Sequence, residues 1–122
     1  MEKIVEQTLL YDFYGDLLTD RQKEVYEEIV FNDLSLSEAA EEYGISRQGI
    51  HDMIRRSENA LREYEEKLHM IRRFQTIREL TEEALEQLEV LQKAEEAGGP
   101  EKIHEAVAAL KDQLTKIQSN LL

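Results

Sequence analysis

The stretch LSLSEAAEEYGISRQGIHDMIRRSENAL, residues 34–61, most constrains what this chain can fold into. Ser35 with Glu38 three residues on is a capping box, so a helix starts there. Leu36, Ala39, Ala40 and Tyr43 recur at helical spacing and form its inner face. Gly44 falls where a left-handed C-cap is needed, Ile45 follows as an apolar plug, and Ser46 caps a second helix. Ile50 with Met53 or Ile54 turns that second helix toward a core. Small residues at the crossing, a glycine in the turn and apolar locks on the second helix are what a helix-turn-helix requires.

The flanking sequence is also helical. Ile4, Val5, Thr8, Leu9, Tyr11, Phe13 and Tyr14 open the chain with helical spacing in the early part, and Gly15 is the expected stop. Thr19 with Gln22 is a further capping box, leading to Val25, Tyr26, Ile29 and Val30 on one face, which Asn32-Asp33 breaks. The helix that starts at Ser46 keeps its period through Leu61, Tyr64, Leu68 and Ile71. It either runs on past Phe74, Leu80 and Leu91 or breaks near 70–78. AGGP at 97–100 is the next punctuation. Beyond it Ile103, Val107, Leu110, Leu114, Ile117 and Leu121 alternate steps of four and three, a heptad seam. The fold expected is all-α: a helix-turn-helix domain over 1–70, then a long helix and a C-terminal helical hairpin over 71–122 that joins at Gly98-Gly99-Pro100. The seam can close within the chain or between two chains, and homodimerisation is the favoured reading.

The outward face of the helix after Ser46 suggests a function. With Ile50 and Ile54 inward, it presents Ser46, Arg47, Gln48, His51, Asp52 and Arg55, with Arg56 a little deeper. Arginine pairs with guanine edges and glutamine with adenine, while a serine at a helix N-terminus meets phosphate. Ser46, Arg47, Gln48, His51, Arg55 and Arg56 are therefore the candidate DNA contacts. The chain as a whole has 15 basic and 27 acidic residues, net -12. Between Ser46 and Arg62 the balance reverses: four arginines meet Asp52 and Glu58, net +2. That element is read as a positive island on a repulsive protein, suited to selective, salt-sensitive contact rather than general DNA coating.

These motifs carry a resemblance. LLTDRQ, SEAAEEYGISR and the Ala60-Leu61 ending look like region 4 of bacterial sigma factors, which reads the promoter -35 element. LLYDFYGDLLTDRQ, SLSEAAEEYGISRQGIHD and ENALREYEEKL together are similar to something narrower, the YlxM-like family of small bacterial proteins. The match covers about residues 9–70, and beyond it only helical character agrees. The resemblance implies a sigma-region-4-like helix-turn-helix that binds DNA as a regulator. It also implies a place in the signal recognition particle pathway, in which the partner is that particle's GTPase or its RNA. The sigma pattern prefers a bulkier apolar residue at Ala39, and Asp52 is an acid among the reading residues.

Several function classes are excluded or disfavoured. No apolar run approaches the ~20 residues that span a bilayer. MEKIVEQTLLYDFYGD lacks the basic start of a signal peptide. The chain has no cysteine, which suits a reducing cytoplasm and removes thiolate chemistry. Glu66-Lys-Leu-His69 and Glu101-Lys-Ile-His104 match the Glu-x-x-His spacing of di-iron bundles, but they are read as polar surface: His69 shares a stripe with Arg62, Glu66 and Arg73. The tyrosines and phenylalanines at 11, 13, 14, 26, 31 and 43 are read as core. No phosphate loop or nucleophile constellation is present, so the expectation is a non-enzyme with no cofactor and no metal.

Overall fold

The structure, a computed structural model, describes residues 2–97 and 99–121. It is all-α, with no strand among the described residues. Helix α1 spans Lys3–Tyr14 and ends in a 3₁₀ turn, Gly15–Leu17. Helix α2, Asp20–Tyr26, widens into a π-helical turn, Glu27–Phe31. Helices α3, Leu36–Tyr43, and α4, Arg47–Leu68, form the helix-turn-helix. Helices α5, Met70–Ala97, and α6, Pro100–Leu121, follow. The chain divides into two compact units, residues 1–71 and 72–122.

The caps form where the sequence predicts them. Gln22 N–H donates to Thr19 Oγ1 at 3.2 Å and Glu38 N–H to Ser35 Oγ at 3.1 Å, each with its reciprocal side-chain bond. Asp33 has a φ of 58°, a left-handed residue that ends the α2 segment. Gly15 ends α1 for a different reason from the usual glycine cap. Its φ is −55°, which any residue adopts, but a Cβ there would lie 2.9 Å from the Tyr11 ring. Glycine is needed for clearance, not for handedness.

Two apolar clusters fill the first unit. One joins Leu10, Tyr14, Leu18, Tyr26, Leu61 and Ile71, tying α1 to α4 and to the start of α5. The other joins Val25, Ala39 and Ile50, with Met53 and Ile54 both packed against it. Burying side chains of this size contributes about 1.5–3 kcal/mol each. Tyr11 and Tyr26 stack, and Phe31 meets them tilted and edge-on, with ring centroids 5.3–5.9 Å apart, so these aromatics pack on one another. Arg21 donates to the Tyr43 carbonyl at 2.9 Å, which places a cation on the C-terminal end of α3.

The helix after Ser46 stops at Leu68, just ahead of the window the periodicity allows. His69 takes a left-handed conformation, φ 54°, and its N–H bonds the Glu65 carbonyl at 2.8 Å. The freed N–H groups of the next turn have partners. Met70 donates to Tyr14 Oη at 3.1 Å, Ile71 donates to Glu65 Oε1 at 2.9 Å, and Tyr14 Oη donates to the same carboxylate at 2.5 Å. Three helices therefore meet at one half-buried knot. The break also cancels the supposed polar stripe, because His69 no longer continues the helix of Arg62 and Glu66.

In the second unit α6 folds back along α5. Ala94 and Ala106, both buried, help line a groove of about 560 Å³ between them. Pro100 starts α6, a position that costs no hydrogen bond. Gly98 lies outside the described residues. The heptad seam splits between two faces: Ile103, Leu110 and Ile117 are half-buried beside buried Ala106, whereas Val107, Leu114 and Leu121 are 47%, 54% and 67% exposed.

Candidate nucleic-acid interface

The turn before α4 sets how its first residues are presented. Gly44 adopts φ 67°, and a Cβ there would meet nothing within 4 Å, so backbone handedness alone demands glycine. The Ile45 N–H reaches back to the Ala40 carbonyl at 3.2 Å. Ser46 Oγ accepts from the Gly49 N–H at 2.9 Å and caps α4, which leaves its hydroxyl proton to donate outward. Gly49 keeps that cap open, since a Cβ there would approach Ser46 Oγ to 3.1 Å.

Ile50, Ser57 and Leu61 are the fully buried residues of α4. Ser57 was not legible as a core position. It is polar, and its hydroxyl is satisfied by the Met53 carbonyl at 2.8 Å within the helix. With that row inward, Ser46, Arg47, Gln48, His51, Arg55 and Arg56 are all exposed. Arg47, His51 and Arg55 stand one turn apart on one row, and Gln48, Asp52 and Arg56 on the next. Asp52 organises its neighbours. Gln48 Nε2 donates to its carboxylate at 3.0 Å, His51 Nδ1 lies 3.9 Å from it, and Arg56 Nε donates to its carbonyl at 3.4 Å.

Ion pairing separates these arginines from those further along the helix. Among the described residues, Arg47, Arg55 and Arg56 have no carboxylate within 4 Å, in a chain where acids outnumber bases 27 to 15. Arg62 is held by Glu6 at 3.3 Å. A second basic stretch also exists. Between Glu66 and Glu79 there is no acid, while Lys67, Arg72, Arg73 and Arg78 lie there, so α4 is not the only positive island. Lys67 pairs with Glu63 and Arg78 with Glu82, and both pairs are exposed. A running charge count would have found this stretch.

Among the described residues no group of three or more His, Cys, Asp or Glu is placed to hold a metal, and no helix is long and apolar enough to cross a membrane.

Comparison with known proteins agrees with this geometry. The family model described as "Putative helix-turn-helix protein, YlxM / p13 like" matches residues 1–98. The UPF0122 protein YlxM of Bacillus subtilis is 38% identical over 117 residues, 96% of this chain and 97% of that protein. A UPF0122 protein of Desulforamulus reducens is 36% identical over 118 residues, 97% and 98% of the two chains. One from Thermoanaerobacter is 43% identical over 101 residues, 83% and 86%. With its capped α3–α4 pair and a match over four-fifths of its length, the chain belongs to the UPF0122 family of YlxM- and p13-like helix-turn-helix proteins.

Proposed function

We propose that this protein is a cytoplasmic DNA-binding regulator that works as a homodimer and carries out no chemistry of its own. Residues 1–70 are the reading domain and 71–122 the dimerisation hairpin. Ser46, Arg47, Gln48, His51, Arg55 and Arg56 are the contacts. The observation that carries this is the set of arginines left without a carboxylate on the exposed face of α4. Unpaired cations in so acidic a chain are poised for an external polyanion. Arg47 and Gln48, in the first turn, meet base edges, and Arg56 meets backbone.

The test is Arg47→Glu with Arg55→Glu, measured by fluorescence anisotropy against a genomic duplex library at low salt. Binding should fall at least a hundredfold while helicity and solution mass stay unchanged. Parental binding should weaken with salt with a slope set by about three contacts per chain. Undiminished binding by the variant would move the interface elsewhere.

A second reading has its own support in the acidic remainder, net -5 over residues 74–122. That surface suits a basic protein, and here the partner is the GTPase of the signal recognition particle; the particle's RNA, a polyanion, would instead meet the basic face of α4. Immobilised protein should then retain purified particle GTPase or RNA at low salt. Retention of neither removes this reading.

A further inference from the structure

A cleft of about 560 Å³ opens within the first unit between α1, the π-helical turn and the outer flank of α4. Its floor is apolar: Ile29 and Val30 from the π turn, Leu36 from the start of α3 and Ile54 from α4. The π turn brings two floor residues there. Its i→i+5 bond, from Asn32 N–H to the Glu27 carbonyl at 3.0 Å, widens the helix where Ile29 and Val30 reach the cleft. Single π turns are costly and concentrate at functional sites. The rim carries Lys3, His51 and Arg55. Among the described residues neither Lys3 nor Arg55 has a carboxylate within 4 Å. The rim also holds one carboxylate, Glu58; its bond from Gln7 Nε2 at 2.6 Å comes from a neutral amide, so the rim carries two cations against one anion.

An apolar floor beneath a rim of net positive charge defines its guest. We infer that this cleft binds a small amphipathic anion, an apolar chain or ring that ends in a carboxylate. The apolar body covers Ile29, Val30, Leu36 and Ile54, while the carboxylate sits between Lys3 and Arg55. A phosphate backbone would leave that floor uncovered, and a cation would face Lys3 and Arg55 with only Glu58 in its favour. The volume lies within the range of small-molecule sites. The consequence for DNA, which rests on the function proposed above, is competition: a carboxylate at Arg55 occupies a group assigned to nucleic acid.

The binding claim is tested without nucleic acid, so it stands or falls apart from the DNA reading. Sodium octanoate is titrated into the ¹⁵N-labelled full chain and followed by amide shifts, with octylammonium and butyrate as controls. Saturable shifts confined to the neighbourhood of Gln7, Ile29, Val30, Ile54 and Arg55 are expected. Octylammonium should produce none, and affinity should drop by roughly fourfold for each buried methylene removed. Lys3→Glu, on an exposed helix end, should weaken octanoate about tenfold with helicity preserved. The site is overturned by non-saturable shifts, by equal shifts with octylammonium, or by a Lys3→Glu protein that binds octanoate as the parent does.

Discussion

Asp52 is an acid in the second outward row of α4, between Gln48 and Arg56, and it engages both neighbours that could read a base. Its carboxylate accepts from Gln48 and lies near His51, so free Gln48 is held along the helix rather than out from it. Removing the charge while keeping the shape should release repulsion against phosphate. Asp52→Asn is expected to raise affinity for mixed-sequence duplex DNA by about three- to tenfold at low salt, less at high salt. If Asp52 instead reads cytosine, the same variant binds its preferred site more weakly, and anisotropy on matched and mismatched duplexes distinguishes the outcomes. Much at this scale was legible from sequence. Ser35, Gly44 and Ser46 act through bonds to residues three to five positions away, so short motifs reveal them. Ser57 was hidden because its burial depends on packing, and its hydroxyl is satisfied invisibly by Met53.

At the scale of elements, the knot among α1, α4 and α5 decides where α4 ends. Tyr14 and Glu65 are 51 positions apart, and together they accept the first N–H groups of α5. No periodicity registers such a pair, which is why the apolar pattern ran unbroken through Leu68 to Ile71 and the stop at His69 was missed. The π turn was missed likewise, since one extra residue per turn leaves the apolar pattern of 25–30 nearly unchanged. The knot's contribution is measurable. Tyr14→Phe leaves the Met70 N–H and the Glu65 carboxylate short of a partner, and should cost about 1–3 kcal/mol in urea unfolding. Hydrogen exchange at Met70 should rise more than at Ile50; equal changes would mean that Tyr14 acts by general packing.

Across the whole molecule, the acidity and the exposed seam are the dominant facts. Val107, Leu114 and Leu121 lie seven residues apart and stay exposed in one chain, so a second copy is expected to cover them. Light scattering should give twice the chain mass, and Val107→Lys with Leu114→Lys should halve it; a monomeric parent would remove the dimer. Alkaline pH offers a separate test. Burial is the largest cause holding the phenols of Tyr11, Tyr14, Tyr26 and Tyr43 above the usual tyrosine range, with neighbouring carboxylates adding to it. A folded pKa raised above the unfolded one keeps stability full below pH ~10 and loses it as pH climbs toward the folded values. The urea midpoint should therefore decline above pH ~10, with phenolate absorbance appearing together with loss of helicity. One feature of α4 reaches beyond any single assay. Ser57 has no exposed surface, so α4 cannot roll about its axis without unburying it and driving Arg56 or Glu58 into the core. Exchanges at 47, 48 and 52 rewrite the outward face and leave the buried row at 50, 57 and 61 untouched. The surface of α4 can therefore change one codon at a time while the fold is inherited intact.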